Sequence, residues 1–166
     1  TRPANQRDFA RAVEGRVAAL ARAHTLLADN RWRGADLRRV VEEELAAFQG
    51  GTTIEVSGPP VALGAEQIQP LAMVVHELVT NAAKHGALAT PEGRLHVSWE
   101  KAADNGVQLR WDEAGGPPIA GPPENNGFGS TLIRATVHGQ LGGRLELTWR
   151  SQGLLCEFSV APSAPG

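Results

Sequence analysis

The chain of 166 residues is 42% apolar with a net charge of −2, which suits one domain with a real core, or one domain with a small helical appendage. That balance offers none of the basic surface that nucleic acids select, although arginines crowd the N-terminal part. A single cysteine, Cys156, excludes an internal disulfide and a cysteine-based zinc site, and no run reaches the ~18 apolar residues of a membrane span.

No signal peptide is visible, so a cytoplasmic chain is expected, with no nucleic-acid partner and no membrane segment. The abrupt opening, TRPANQRDF, reads as a cut from a longer protein. Apolar residues at spacings of three and four (Phe9, Val13, Val17, Leu20, Ala21, with His24) predict one long helix over Gln6–Asp29. A second helix is predicted from Ala35 to Phe48, with Leu37, Val40, Val41, Leu45 and Phe48 inward and Glu42–Glu44 outward; Gly50-Gly51 stops it. The period then changes. TTIEVSG and PPVAL are strand-like. A helix from about Ala65 to His85 follows, with Pro70 tolerated if it lies in the first turn.

The strands RLHVSWE and GVQLRWD come next, turned at Asp104-Asn105-Gly106. AGGPPIAGPPENNGFG suits neither helix nor strand. Ser130–Leu141 is predicted helical with Ser130 as its cap, and the hairpin GGRLELTWR–GLLCEFSV closes the chain. Cys156 alternates with Leu154 and Phe158 and reads as buried filler. The fold class expected is α/β (α+β): a two-layer sandwich, a mixed sheet with helices on one face, and an N-terminal helix projecting from it.

Three features carry chemistry. Within HELVTNAAKHG, Glu77, Asn81 and Lys84 form one helical stripe about 10 Å long at 1.5 Å per residue, behind which Leu71, Val75, Leu78 and Ala82 face inward. Such stripes are commonly just solvated faces. Here, however, Asn81 can offer an amide oxygen to Mg²⁺, Lys84 can reach a phosphate, and Glu77 can orient or deprotonate a group. In GVQLRWDEAGGP, alternation puts Leu109, Trp111 and Glu113 on one face and Arg110 and Asp112 on the other. A carboxylate there can accept from an exocyclic amine such as adenine's, and Gly115-Gly116 lets a flat ring approach the backbone. Lastly, GFGS (Gly127–Ser130) opens a helix whose freed N–H groups suit an anion.

In this order the motifs resemble the GHKL ATP-binding fold of histidine kinases, Hsp90, MutL and gyrase. More finely, the chain resembles the HWE group of bacterial sensor histidine kinases, through His76 in HELVTNAAKHGAL and Trp111 and Glu113 in WDEAGGP. GRVAALARAHTLL and RGADLRRVVEEELAAF are similar to that family's second dimerisation helix and the connection beyond it.

The resemblance implies an ATP-dependent histidine kinase using ATP and Mg²⁺. It implies a remnant dimerisation and phosphotransfer helix at 1–32 and a catalytic domain at 33–166. Asn81 matches the magnesium asparagine, Lys84 and His85 the phosphate side, and Glu113, with Trp111, the adenine side. Gly115, Gly127, Gly129 and Ser130 match the nucleotide loops, and Gly116–Asn126 the ATP lid. Gly153-Leu154 departs from the Gly-Thr of many relatives. Glu77 is the implied proton acceptor and His76 a site-shaping neighbour.

Implied partners are a response-regulator receiver domain, upstream sensory and dimerisation domains, and a second copy in a homodimer. No acceptor box like that of the family is found; His24, His96 and His138 lack its context, and the acceptor is expected outside this chain. The alternatives weighed are a GHKL protein serine kinase of the anti-sigma type, an ATPase, and a non-catalytic nucleotide-binding module.

Overall fold

The computed structural model describes residues 2–29, 34–48, 51–119 and 128–163. Four helices occur among them: α1 (Arg2–Asp29), α2 (Leu37–Leu45), α3 (Ala65–His85) and α4 (Phe128–Gly139). The strands are β1 (Ala35–Asp36), β2 (Thr53–Ser57), β3 (Ala62–Leu63), β4 (Arg94–Lys101), β5 (Val107–Ala114), β6 (Leu145–Arg150) and β7 (Gly153–Val160). β1 and β3 form a small ribbon, and the other five make one sheet in the order β2-β4-β5-β7-β6. Only β2 and β4 run parallel, joined by the crossover through α3; the other neighbours are antiparallel.

Alternation decides which face of the sheet is covered. Leu95, Val97 and Trp99 of β4, Leu109 and Trp111 of β5, and Cys156 and Phe158 of β7 are all buried. Their neighbours His96, Glu100 and Arg110 are exposed, so the helices lie on one face and the other is open, as the alternation predicts. Cys156 is buried filler, its thiol pushed up to about 12 by burial. The β4–β5 turn places Asn105 at φ +68°, a left-handed position that asparagine tolerates.

Four local expectations are corrected. The second helix starts at Leu37, because Asp36 caps it through the Arg38 N–H and Ala35–Asp36 pair with β3. Pro70 lies in the second turn of α3, and the helix runs through it with the ring buried; the Glu66 carbonyl forgoes its helical donor. Ser130 lies inside α4, which begins at Phe128, so it is not the cap. The fourth concerns which face of α1 packs. Ala19, Ala23, Leu26 and Leu27 are buried, while Phe9, Val13, Val17 and Leu20 are exposed. The C-terminal half of α1 thus belongs to the main core, packed on α3 and α2, rather than projecting. Small residues allow close helix approach, and here they outrank the larger apolar stripe.

Candidate active site

β5 delivers Glu113 to the covered face two residues after Trp111. The Trp111 indole Nε1–H donates to Glu113 Oε2 at 2.9 Å, and the Ala87 N–H, just past the end of α3, donates to Oε1 at 3.0 Å. Glu113 is 2% exposed, and burial raises its carboxyl above the ordinary 4.5 despite those two donors. Asp112 points the other way and pairs with Arg150 and Arg110. Arg150 also donates to the Glu113 carbonyl at 2.9 Å, which ties the strand end to β6. The alternation of Glu113 and Asp112 is as the sequence predicts.

The glycines after β5 are packed against protein. Gly115 has φ +73°, and a side chain there would meet the Glu92 carbonyl; Gly116 lies against the backbone of Gly86 and Ala87. Their close approach is therefore backbone to backbone in this structure. A Cβ on Gly86 would collide with Glu113 Oε1, so only glycine lets the end of α3 reach this carboxylate.

The stripe on α3 is not a solvated face. Glu77 is 3% exposed because α1 covers it. Arg16 of α1 grips it, with Nε 2.5 Å from Oε1 and an Nη 3.3 Å from Oε2. Beside this pair, Arg22 of α1 holds Glu44 of α2 through two hydrogen bonds, and His76 Nδ1 lies 3.4 Å from the same carboxylate. Glu44 is thus buried rather than outward. Burial acts to raise its carboxyl, but the bonds from His76 and Arg22 outweigh that effect and hold it below the ordinary 4.5. His76 packs under Gly15 of α1, where an added methyl would sit 3.2 Å from Nε2.

One turn on, Asn81 is half-buried and faces the start of α4: a Cβ on Gly129 would lie 3.8 Å from Asn81 Oδ1 and 2.8 Å from Glu77 Oε2. Ser130 is half-buried beside it, and Lys84 and His85 are exposed at the end of α3. Gly127 and residues 120–126 of the expected lid lie outside the described residues. The structure thus brings together Glu77, Asn81 and Gly129 along the C-terminal half of α3, and Trp111, Glu113 and Ala87 just past its C-terminus. His24, His96 and His138 are exposed and remote in sequence from both groups; His96 hydrogen-bonds Ser57 at 2.8 Å. Leu154, next to Gly153, is buried, and Gly153 packs against the Glu113 backbone.

Sequence reasoning missed Arg16, Glu44, Gly86 and the Ala87 N–H. The available signal was the set of arginines spaced along the first helix, read there only as local basic character.

The donor set at the Asn81 end suits Mg²⁺ with phosphate: one neutral amide oxygen, which leaves room for waters and phosphate oxygens, beside the N-terminus of a helix. Just past the C-terminus of α3, each Glu113 oxygen accepts one hydrogen bond and retains a second lone pair. An adenine amine would share an acceptor already bonded to the protein.

A mixed five-stranded sheet covered on one face, with polar residues gathered between α3, the end of β5 and the start of α4, is the fold of histidine kinase catalytic domains. The histidine kinase domain of the Erythrobacter litoralis EL346 blue-light activated histidine kinase superposes with a TM-score of 0.70 at 19% identity, covering 89% of this chain and 73% of that one. The mycobacterial sensor histidine kinase MprB superposes at 0.61 and 19% identity, covering 80% and 99%. In sequence, a blue-light-activated histidine kinase of Rhizobium johnstonii is 41% identical over 160 residues, 95% of this chain and 45% of the relative. One from Brucella ovis is 30% identical over 155 residues, 90% and 31%. The HWE histidine kinase family model matches residues 1–60.

The match over residues 1–60 and the likeness along 95% of the chain both point to the HWE histidine kinases. It spans less than half the length of the curated relatives named here. ATP is the phosphoryl donor that the matched histidine kinase family implies. Among the described residues, no helix is long and apolar enough to cross a membrane.

Proposed function

We propose that this chain binds Mg-ATP and presents the γ-phosphate to a histidine acceptor, from which a response-regulator receiver domain takes it. The observation that carries the reading is the convergence of both groups on one helix. α3 reaches Gly129 through Glu77 and Asn81, and its end, which meets Glu113, lies about 6 Å beyond Asn81 and about 12 Å beyond Glu77 at 1.5 Å per residue. Bound Mg²⁺ would neutralise phosphate charge, the main task in phosphoryl transfer. Asn81 would hold it. Lys84 and His85 would face the phosphates, and the amides of Gly129 and Ser130 would receive an oxygen. Glu113, fixed by Trp111 and Ala87, would accept from the adenine amine, and Gly115 would shape the base-side loop. Glu77 would take the proton of the attacking imidazole, with His76 shaping its surroundings.

We assign residues 1–32 to the dimerisation and phosphotransfer part, which suits a homodimer and upstream sensory domains, and 33–166 to the catalytic domain. The family match at residues 1–60 favours this over the serine-kinase, ATPase and non-catalytic alternatives.

Titration calorimetry tests the core of the reading. The chain should bind Mg-ATP, and Asn81→Ala should lose most of the magnesium-dependent affinity. An Asn81→Ala chain that binds Mg-ATP like the parent would overturn the assignment.

A further inference from the structure

We infer that Arg16, on α1, is a positioning residue of the nucleotide site that sets its preference for a triphosphate over a diphosphate. The inference rests on the reading above, that the corner of Glu77, Asn81 and Gly129 receives the terminal phosphate.

That corner poses an electrostatic problem. Glu77 Oε2 lies so close to Gly129 that a methyl there would be 2.8 Å away, and Gly129 is in the first turn of α4. An anion drawn to that helix start meets a buried carboxylate at contact distance. Two like charges some 4 Å apart repel strongly wherever water is excluded. The α4 amides attract phosphate, while Glu77 alone would turn it away.

Arg16 resolves the conflict from another element. Its guanidinium engages both Glu77 oxygens, at 2.5 and 3.3 Å, across 61 residues of sequence. The Arg16 side chain is 19% exposed and that of Glu77 4%, so the pair is shielded from salt and solvent. A buried carboxylate paired in this way presents little net charge to its surroundings; unpaired, it would present a full one. The effect falls at the corner of Asn81 and Gly129, where the γ-phosphate of ATP would lie and which the shorter ADP would not reach. The neighbouring clamp of Arg22, Glu44 and His76 does not substitute for it, because those groups neutralise one another. Consequently, the position of α1 along α3 controls whether Glu77 is neutral toward ATP.

The test compares Mg-ATP with Mg-ADP affinity by calorimetry on the full chain and four variants: Arg16→Gln, Arg16→Lys, Glu77→Gln and the double Arg16→Gln/Glu77→Gln. Thermal melts check that each is folded. Arg16→Gln should weaken Mg-ATP about tenfold and Mg-ADP less than about twofold, as expected for one unscreened charge near the terminal phosphate. Arg16→Lys should retain most of the ATP affinity, and the double variant should restore it, because no charge is left to neutralise. Should Arg16→Gln fail to fold, the double variant still decides the matter, since it must fold and keep the parent's preference for ATP. Equal losses for ATP and ADP would reduce Arg16 to a prop for α3 and overturn the inference, as would no loss, or no rescue in the double variant; in each case the parent's ATP binding still stands. A parent that bound neither nucleotide would sink this inference together with the reading beneath it.

Discussion

Glu113 and Glu77 are both buried carboxylates, one just past the C-terminus of α3 and one in its C-terminal half, yet they are held by opposite means. Glu113 receives neutral donors, an indole and a backbone N–H, and burial raises its pKa in spite of them. Glu77 receives a guanidinium from a helix far upstream. A carboxylate meant to accept from a neutral amine needs fixed geometry without a competing cation. One beside phosphates needs its charge cancelled. The contrast also separates local from non-local control: Trp111 is two residues from Glu113, whereas Arg16 is on another helix.

The largest effect expected is at the hydrogen-bonded end. Gly86→Ala drives a methyl into Glu113 Oε1 and should destabilise the fold by about 3 kcal/mol, since a tightly packed interior has no room to give. A melt unchanged from the parent's would show that the carboxylate is free to move, and the contrast with Glu77 would collapse.

A smaller loss is expected from Trp111→Phe. The smaller ring leaves part of its site unfilled, and one oxygen of a buried carboxylate loses its donor, the lost bond contributing about 2 kcal/mol. Chemical denaturation measures this. If the loss from Trp111→Phe shrinks by about that amount in a Glu113→Leu background, the indole bond is confirmed as its source. A phenylalanine variant as stable as the parent would show that burial, and not the N–H, is what Trp111 contributes.

Glu44 sharpens the comparison from the ion-paired side, with the smallest effect. Its folded pKa is below the ordinary 4.5, so its pairing stabilises the fold above that value, and the contribution is lost as pH falls through the folded pKa. Glu44→Gln should therefore cost about 1–2 kcal/mol at neutral pH and progressively less in acid. Glu113 has the opposite sign: its raised pKa lowers stability as pH climbs from 4.5 through the folded value. Melting curves of parent and Glu44→Gln from pH 3 to 7 should converge at the acid end; parallel curves would deny the pairing its role.

Much of this was legible from sequence wherever the determinants were close along the chain. Alternation along β5 assigns Glu113 and Asp112 to opposite faces, and the inward set of α3 (Leu71, Val75, Leu78, Ala82) is buried as its spacing requires. What was illegible depends on which helix lies over which. Glu77 looks like part of a polar stripe until α1 covers it. The covering face of α1 is Gly15, Ala19 and Ala23, which close packing favours and hydrophobicity does not mark, so Phe9 and Val17 suggested the wrong side. Glu44 was read as outward for the same reason, because its partners Arg22 and His76 belong to other helices.

The parallel pairing of β2 with β4 has a consequence for the order in which the molecule assembles. β4–β5 and β6–β7 are hairpins whose strands meet across short turns, but β2 reaches β4 only after all of α3 has been laid down between them. Loop closure over such a distance is slow, and β2 ends as an edge strand with one neighbour. The end of β5 and the length of α3 can therefore be in place before β2 docks. Native-state hydrogen exchange should accordingly find the Thr53–Ser57 amides opening at lower free energy than those of Val107–Ala114; the reverse order would make the edge strand part of the folding nucleus.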